Sequence, residues 1–207
     1  MVTERMGRRV SGAVFLSASV PVEGRAGYET ANRLLIREAI GAVAEVVLGR
    51  KLLVWGGHPA ITPMLWAAAE ALGVEYAATV QLFQSTFFED QYPEDNERFQ
   101  NVTYVPSTGD RENSLLEMRR QMLLSHSFDS AVFIGGMEGI WEEYQMLRNL
   151  CPTAKIIALP SAGGVARTVF EELQLPKELR NATDFTRWLY ELLGIRTNEP
   201  RYSQLVT

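Results

Sequence analysis

The sequence has little of what disulfides and metal sites require. Its 207 residues include one cysteine, Cys151, and two histidines. One cysteine cannot form an internal disulfide and is typical of the reducing cytoplasm, where we expect the protein to reside. Because thiol and imidazole groups are so few, the sequence also argues against a structural zinc site, and we predict no bound metal.

Long apolar runs and an excess of positive charge are also missing. No apolar run approaches the ~20 residues of a membrane-spanning helix, and residues 1–12 carry no signal-peptide pattern. We therefore expect no membrane association. The formal net charge of −5 argues against binding to a nucleic-acid polymer, although it is compatible with a small basic pocket for an anionic ligand.

Short apolar segments alternate with stretches of helical periodicity along the chain. Apolar runs predict strands at Ala13–Ser17, Lys51–Trp55, Ala77–Phe83, Asn101–Val105, Ser130–Ile134 and Lys155–Leu159. Helical spacing of apolar residues predicts helices at about Thr30–Leu48, Pro63–Leu72, Glu112–Ser127, Ile140–Leu150, Val165–Leu173 and Thr183–Leu193. The alternation predicts one α/β domain over residues 13–194, a three-layer Rossmann-like fold with a mostly parallel sheet and helices on both faces. We expect residues 1–12 to be a flexible lead and residues 195–207 a tail.

Four of the predicted strands end in loops of small residues, at Ser17–Pro21, Gly56–Pro63, Gly135–Gly139 and Pro160–Gly164. Glycines let a backbone approach a ligand closely, and a glycine loop between a strand and a helix directs backbone N–H groups at an anion. Right-handed crossovers place such loops at one edge of a parallel sheet, so we expect them to converge. The candidate ligand-binding residues in these loops are Ser17, Ala18, Ser19, Gly56, Gly57, His58, Thr62, Gly135, Gly136, Met137, Glu138, Gly139, Ser161, Gly163 and Gly164.

The usual strand order, 3-2-1-4-5, defines where these loops would form a crevice. It places the strands Ala13–Ser17 and Ser130–Ile134 side by side at the switch point, where ligands bind in open α/β sheets. None of the loops matches the G-x-G-x-x-G fingerprint, and the chain contains no Walker sequence. Plain NAD-dehydrogenase and P-loop ATPase functions are therefore not favoured.

Several loop residues also have structural explanations. The segment from Ser17 to Pro21 is compatible with an ordinary Ser/Pro turn. His58 is able to donate a hydrogen bond to a phosphate or to transfer a proton. The alternative is that it only orders its turn, and we favour the functional role. Thr62 is predicted to be the N-cap of a helix whose first residue is Pro63. The direction of Glu138 inside its loop cannot be predicted.

Two helices supply the candidate catalytic residues, Arg119 and Glu143. Arg119 falls in the middle of an apolar helical face that includes Leu116, and a guanidinium facing a core is costly unless it meets a carboxylate or a phosphate. Arg119 is therefore either an anion-binding residue or part of a structural ion pair. In the next helix, Glu143 lies near the inner face and is a candidate general base, whereas Glu142 is predicted to be a solvated surface acid.

An acidic and aromatic segment, Gln84–Gln100, follows the third predicted strand. Loops of this length are often functional or mobile, so it is interpreted as a lid, an oligomer contact or a surface insertion. Phe87, Phe88 and Trp188 are predicted to be exposed and to support a homodimer or higher oligomer.

These motifs together resemble the LOG-type Rossmann superfamily. Met118–Met122 is similar to its arginine-bearing helix, and the Gly56–Gly57 pair follows the second strand as in that superfamily. The LOG motif P-G-G-x-G-T-x-x-E is matched at Gly135, Gly136, Gly139 and Glu143. Ile134 and Ile140 replace its proline and threonine, and Met137–Glu138 is one residue longer than its gap. The strings FLSASVP, GGHPAITP and GGMEG are more similar to the SLOG sensor branch than to the LOG enzymes. The similarity extends from about Val14 to Glu172.

The resemblance implies a sensor-type domain that binds a nucleotide or a nucleotide derivative, NAD-derived or ADP-ribose-like, and such domains often belong to bacterial conflict systems. It also implies a possible effector protein as a partner. The alternative is a LOG-like phosphoribohydrolase, in which Arg119 holds the 5′-phosphate of a nucleoside monophosphate and Glu143 acts in cleavage of the glycosidic bond. A third hypothesis is a scaffold with a vestigial pocket. No cofactor beyond such a nucleotide is implied.

Overall fold

A computed structural model describes residues 12–73, 79–92, 94 and 101–201. The start of the predicted third strand, much of the Gln84–Gln100 segment, the predicted lead before residue 12 and the end of the tail lie outside the described residues. The strands are β1 Ala13–Ser19, β2 Leu52–Trp55, β3 Val80–Ser85, β4 Val102–Val105, β5 Phe128–Gly135 and β6 Lys155–Leu159. The α-helices are α1 Arg33–Val47, α2 Thr62–Leu72, α3 Arg111–Leu124, α4 Glu138–Leu150, α5 Ala166–Glu171 and α6 Phe185–Leu193. Short 3₁₀-helices occupy Tyr28–Thr30, Thr86–Gln91, Pro160–Ala162 and Lys177–Asn181.

The described strands form one parallel sheet of six strands in the order β4-β3-β2-β1-β5-β6. When β4 is left out of the numbering, the other five strands follow the expected order 3-2-1-4-5, which is therefore confirmed. β4 extends the sheet beyond β3. The chain moves outward from β1 to β4 and then returns to place β5 against the other side of β1. The switch point thus lies between β1 and β5, as predicted.

Helices cover both faces of the sheet, which confirms the three-layer arrangement. α1 packs against α2 and α6, while α3 packs against α4. Right-handed crossovers explain this division, because α1 and α2 join strands that step one way while α3 and α4 join strands that step back. The central strands are buried from both sides, so their sequences are almost continuously apolar.

Aromatic side chains fix the packing of α4 on the sheet. The rings of Phe15 and Phe133 meet edge to face with centroids 6.2 Å apart, and Phe133 meets Tyr144 of α4 at 6.0 Å. Side chains alternate between the faces of a strand, so Ser17 projects to the same face as Phe15. In the register of the sheet, Ser17 is also the partner of Phe133. The side chain of Ser17, near the end of β1, therefore faces α4.

Several predicted boundaries differ from the structure because hydrogen bonds at the ends of elements decide them. α1 begins at Arg33 rather than at Thr30, since the Oδ1 atom of Asn32 accepts from the Leu35 N–H at 3.1 Å. Thr62 is the first residue of α2 and not its cap; its hydroxyl donates to the His58 carbonyl at 3.3 Å. β3 continues to Ser85 and so includes Gln84.

Three predictions about exposure are wrong. Trp188, expected on the surface, is 9% exposed, and it packs in the core through α6. Leu116 and Leu150, expected on inner helix faces, are exposed. A helical projection gives the direction of a side chain but not how far the neighbouring elements extend to cover it.

Candidate functional site

The loops that follow β1 and β5 are joined directly at the switch point. Ser19 and Gly135 are partners in the sheet register, and the Gly136 N–H donates to the Ser19 carbonyl at 2.8 Å. The Val165 N–H, from the loop after β6, donates in turn to the Gly136 carbonyl at 3.0 Å. Three of the four loops that were predicted to converge are therefore joined, and backbone hydrogen bonds hold them together.

Glycines make this convergence possible by removing side chains where backbones touch. A Cβ atom on Gly164 would lie 2.3 Å from the carbonyl carbon of Gly135, and one on Gly27 would lie 2.8 Å from the Gly136 oxygen. Gly27, Gly136 and Gly164 also have positive φ angles, which only glycine adopts readily. Because the N–H of Gly136 already donates to Ser19, a ligand at this edge would depend on side chains more than on that N–H group.

Arg119 of α3 provides a buried charge beside these loops. Its residue exposure is 9%, its Nε atom donates to Glu143 Oε1 at 3.2 Å, and its Nη1 atom pairs with Glu142. Gly139, in the first turn of α4, leaves room for the guanidinium, since a Cβ there would lie 2.5 Å from Nη2. The inward direction predicted for Arg119 is thus correct, and so is the ion pair considered as its structural explanation.

Ser17 completes a chain of polar contacts that runs from the sheet to the surface. Its buried hydroxyl donates to Glu143 Oε2 at 2.5 Å, so both oxygens of that carboxylate are engaged. We refer to Ser17, Arg119, Glu142 and Glu143 as the Arg119 cluster. β1, α3 and α4 each contribute to the cluster, which lies on one face of the sheet beside the switch point.

The two glutamates of the cluster have different surroundings. The side chain of Glu143 is 16% exposed and is fixed from two sides, whereas that of Glu142 is 58% exposed. Glu142 is therefore on the surface, as predicted, but it is not merely solvated, because it shares Arg119 with Glu143. Two carboxylates and one guanidinium give the cluster a formal charge of −1.

Glu138, whose direction could not be predicted, turns toward the loop after β1. Its carboxylate accepts from the Arg25 guanidinium at 2.7 Å and from the Ala26 N–H at 3.2 Å. The hydrogen bond from Arg25 is the largest cause that lowers the pKa of Glu138 to about 2, so the group is anionic at neutral pH. This contact fastens the loop to the N-terminus of α4, where a negative charge is favourable.

The loop after β2 is held by its own contacts. The Nδ1 atom of His58 accepts from the Ala60 N–H at 3.2 Å, so the neutral ring carries its proton on Nε2. Burial lowers the pKa of His58, which keeps the ring neutral at pH 7. Gln84 Nε2 donates to the Gly57 carbonyl at 3.2 Å, and a Cβ on Gly57 would lie 2.0 Å from that nitrogen.

The remaining candidate ligand-binding residues lie outside the Arg119 cluster. Ala18 is the register partner of Ile134 inside the sheet, Gly56 lies against Met118 of α3, and Met137 precedes α4 without forming a side-chain cap. Ser161 and Gly163 line a separate cavity. Within the described ranges, no group of three or more His, Cys, Asp or Glu side chains is arranged to hold a metal ion.

Comparison with protein families identifies a match to this chain. The model of the SLOG cluster3 family covers residues 27–193, which is most of the chain. The chain belongs to the SLOG cluster3 family. The resemblance predicted from the glycine and arginine motifs is therefore confirmed. No curated protein matches the chain.

Membership of the SLOG class indicates a nucleotide-related function and a small-molecule ligand for this domain. The family match contains Arg119, Glu142 and Glu143 but begins after Ser17, so the hydroxyl that holds Glu143 lies outside the matched segment. None of the described helices of this SLOG domain is long and apolar enough to cross a membrane.

Sequence reasoning missed three contacts of the candidate site, namely those of Arg25 with Glu138, of Gln84 with Gly57 and of Glu142 with Arg119. Arg25 and Glu138 are separated by 113 positions, and no local pattern signals such a contact. The acidic and aromatic composition predicts that Gln84 begins an irregular segment, although its position directly after an apolar run is a signal that the strand continues. Glu142 projects away from the core, but its side chain is long enough to reach back to Arg119.

Proposed function

We propose that this domain binds a nucleotide or a nucleotide derivative, NAD-derived or ADP-ribose-like, and acts as a sensor. The observation that carries the proposal is the buried guanidinium of Arg119 at the switch point of a parallel sheet, with one carboxylate fixed beside it and another that is free to leave. Arginine is suited to phosphate because its planar fork donates two parallel hydrogen bonds. Membership of the SLOG class supports the same ligand chemistry.

The different exposure of the two glutamates suggests how a phosphate would enter. Glu142 is mostly solvated, so moving its side chain into water requires little desolvation, and a phosphate then takes its place on Arg119. Glu143 stays in position because Ser17 and Arg119 both hold it. Its oxygens are suited to accept hydrogen bonds from the hydroxyls of a ribose next to that phosphate.

Binding is tested by thermal unfolding in the presence of AMP, ADP, NAD, ADP-ribose and cyclic nucleotides. A ligand at 100 times its dissociation constant stabilises a protein by about 2.7 kcal/mol. We expect at least one of these ligands to raise the melting temperature, and Arg119→Gln to remove the shift. Arg120→Gln is the matched control, because the adjacent Arg120 pairs with Glu117 on the exposed side of α3. If none of the ligands shifts the melting temperature, the proposal is wrong.

The alternative function is hydrolysis of a nucleoside 5′-monophosphate to a free base and ribose 5-phosphate. One observation favours it: Glu143 is shielded and oriented, as expected of a carboxylate that stabilises an oxocarbenium-like ribose or activates water. Incubation with AMP followed by chromatography would detect released adenine, and Glu143→Gln should abolish the release. Binding without release of base would favour the sensor.

We further propose that the domain assembles as a homodimer in the cytoplasm and passes its signal to an effector protein, as in bacterial conflict systems. Exposed Phe87 and Tyr104, the latter on the edge strand β4, support an interface there. Light scattering should give a dimer mass that Tyr104→Ser reduces. A monomer mass at all concentrations would contradict the dimer.

A further inference from the structure

A polar cavity lies outside the Arg119 cluster, where the loop after β6 meets the 3₁₀-helix Lys177–Asn181. Its volume is about 260 Å³, slightly below the usual range for drug-sized ligands. Two arginines and four neutral polar residues line it, namely Arg167, Arg180, Thr30, Ser161, Asn181 and Thr183. None of the described residues that line it is acidic, and none of them belongs to the Arg119 cluster.

The walls of this cavity are braced by hydrogen bonds between distant segments. The hydroxyl of Ser161 donates to the Ala182 carbonyl at 2.5 Å, which joins the loop after β6 to the far wall. The Asn32 N–H donates to the Ala162 carbonyl at 3.0 Å, and the Gly164 N–H donates to the Thr30 hydroxyl at 3.1 Å. The cavity is therefore formed before any ligand binds, which lowers the entropic cost of binding.

The two arginines give the cavity a net positive charge. Glu171 accepts two hydrogen bonds from Arg180, at 2.5 and 2.9 Å, and the Arg180 guanidinium lies 5.3 Å from the Phe170 ring centroid. These contacts fix the plane of Arg180. Arg167 lies on α5 one turn before Glu171 and is exposed. No described carboxylate lies within ion-pair distance of it, although, together with the larger effect of the hydrogen bond from Arg180, its charge contributes to lowering the pKa of Glu171. One carboxylate therefore faces two guanidinium groups, in a chain whose formal charge is −5.

We infer that this cavity is a second anion-binding site, separate from the Arg119 cluster, that takes the phosphomonoester group of a small sugar phosphate. The phosphate binds the unpaired guanidinium of Arg167 and the N–H groups of Arg180 that Glu171 leaves unused. Asn181 and Thr183 offer donors and acceptors to the hydroxyls of the sugar. The space and the neutral polar lining fit a phosphorylated sugar better than a bare phosphate ion, which would fill less of the cavity and contact fewer of its polar groups.

Calorimetric titration of the full chain with ribose 5-phosphate tests this inference. We expect Arg167→Gln to raise the dissociation constant at least about tenfold, since a hydrogen bond between charged groups is lost. Arg37→Gln, an exposed change on α1 outside the cavity, should leave the constant unchanged. Ribose and inorganic phosphate, titrated separately, should each bind more weakly than the sugar phosphate.

Variants of the Arg119 cluster separate this site from the proposed nucleotide site. Arg119→Gln should retain binding of ribose 5-phosphate even if it abolishes binding of nucleotides. The inference is overturned if ribose 5-phosphate does not bind, if Arg167→Gln binds it as well as the unchanged chain, or if Arg119→Gln abolishes its binding. Equal affinity for ribose would overturn the anion site, and equal affinity for inorganic phosphate would overturn the sugar contacts.

Discussion

At the scale of single residues, Arg119 shows how one buried charge organises its neighbours. It is held by Glu143 and Glu142 from α4, and Gly139 provides the space that its guanidinium needs. A buried guanidinium without these carboxylates would carry a large desolvation cost. Under the proposed function, an incoming phosphate would replace Glu142 at this guanidinium.

Ser17→Ala should destabilise the protein even though it removes only one oxygen atom. The Ser17 hydroxyl is buried and donates to Glu143, so its loss leaves a shielded carboxylate oxygen without that donor. We expect the free energy of unfolding, measured with urea, to fall by about 1–3 kcal/mol. Ser125→Ala, at the exposed end of α3, is the control and should have a smaller effect. Equal losses for the two variants would show that the hydroxyl of Ser17 contributes no more to stability than an exposed hydroxyl does.

Glu142→Gln should strengthen the binding of a phosphate-containing ligand at Arg119. The glutamine removes the negative charge that competes for the guanidinium, so the dissociation constant of ADP-ribose should fall several-fold, a change of about 1 kcal/mol. Calorimetry on this variant, with Glu191→Gln as an exposed control, measures the change. Weaker binding after Glu142→Gln would mean that Glu142 contacts the ligand rather than competing with it.

At the scale of elements, the loops after β1, β5 and β6 behave as one packed unit. Gly27, Gly135, Gly136 and Gly164 meet backbone to backbone, with hydrogen bonds from Gly136 and Val165 across the contacts. The sequence predicted that these loops would share one edge of the sheet. It did not predict that their glycines serve first to let the loops touch each other.

Two glycine substitutions should therefore have opposite effects on stability. Gly164→Ala places a Cβ within 2.3 Å of the Gly135 backbone at a φ angle of +67°, so we expect a loss of more than about 3 kcal/mol. Gly41→Ala lies inside α1 with nothing within 4 Å of its Cβ and should stabilise the protein by about 0.5–1 kcal/mol. Urea unfolding of both variants measures the difference. A tolerated Gly164→Ala would contradict the close packing of these loops.

At the scale of the whole molecule, acid should lower the stability of the fold in two separate pH ranges. Burial lowers the pKa of His58 below 6.5, and Arg25 lowers the pKa of Glu138 from 4.5 to about 2. Each group binds protons less readily in the folded state than in the unfolded chain. The stability that each contributes is therefore complete above its ordinary pKa and is lost as the pH falls toward its folded value.

We expect urea midpoints to be level between about pH 7 and 8, to decrease below pH 6.5 and to decrease again between 4.5 and 2. Glu138→Gln should reduce the second decrease, because the glutamine does not titrate. Glu191→Gln, at an exposed position on α6, should leave the profile unchanged. Parallel profiles for the Glu138 variant and the unchanged chain would exclude a contribution from the pair with Arg25.

The sequence by itself determined the fold class, the strand order around the switch point, the inward direction of Arg119 and the SLOG family. These properties depend on local periodicity, on the handedness of crossovers and on short motifs, all of which are properties of neighbouring residues. The sequence also placed Glu143 closer to the core than Glu142, since 100° per residue separates their directions on a helix.

Only the tertiary structure decided which partners the charged and polar groups meet. Ser17 and Glu143 are 126 positions apart, and Arg119 and Glu142 are on different helices, so no local pattern specifies these contacts. The cavity beside Arg167 likewise forms because three distant segments, around Thr30, Ser161 and Arg180, come together in the folded chain. The physical reason is that hydrogen bonds and ion pairs act over a few ångströms of space, which chain separation does not predict until the sheet and its helices are packed.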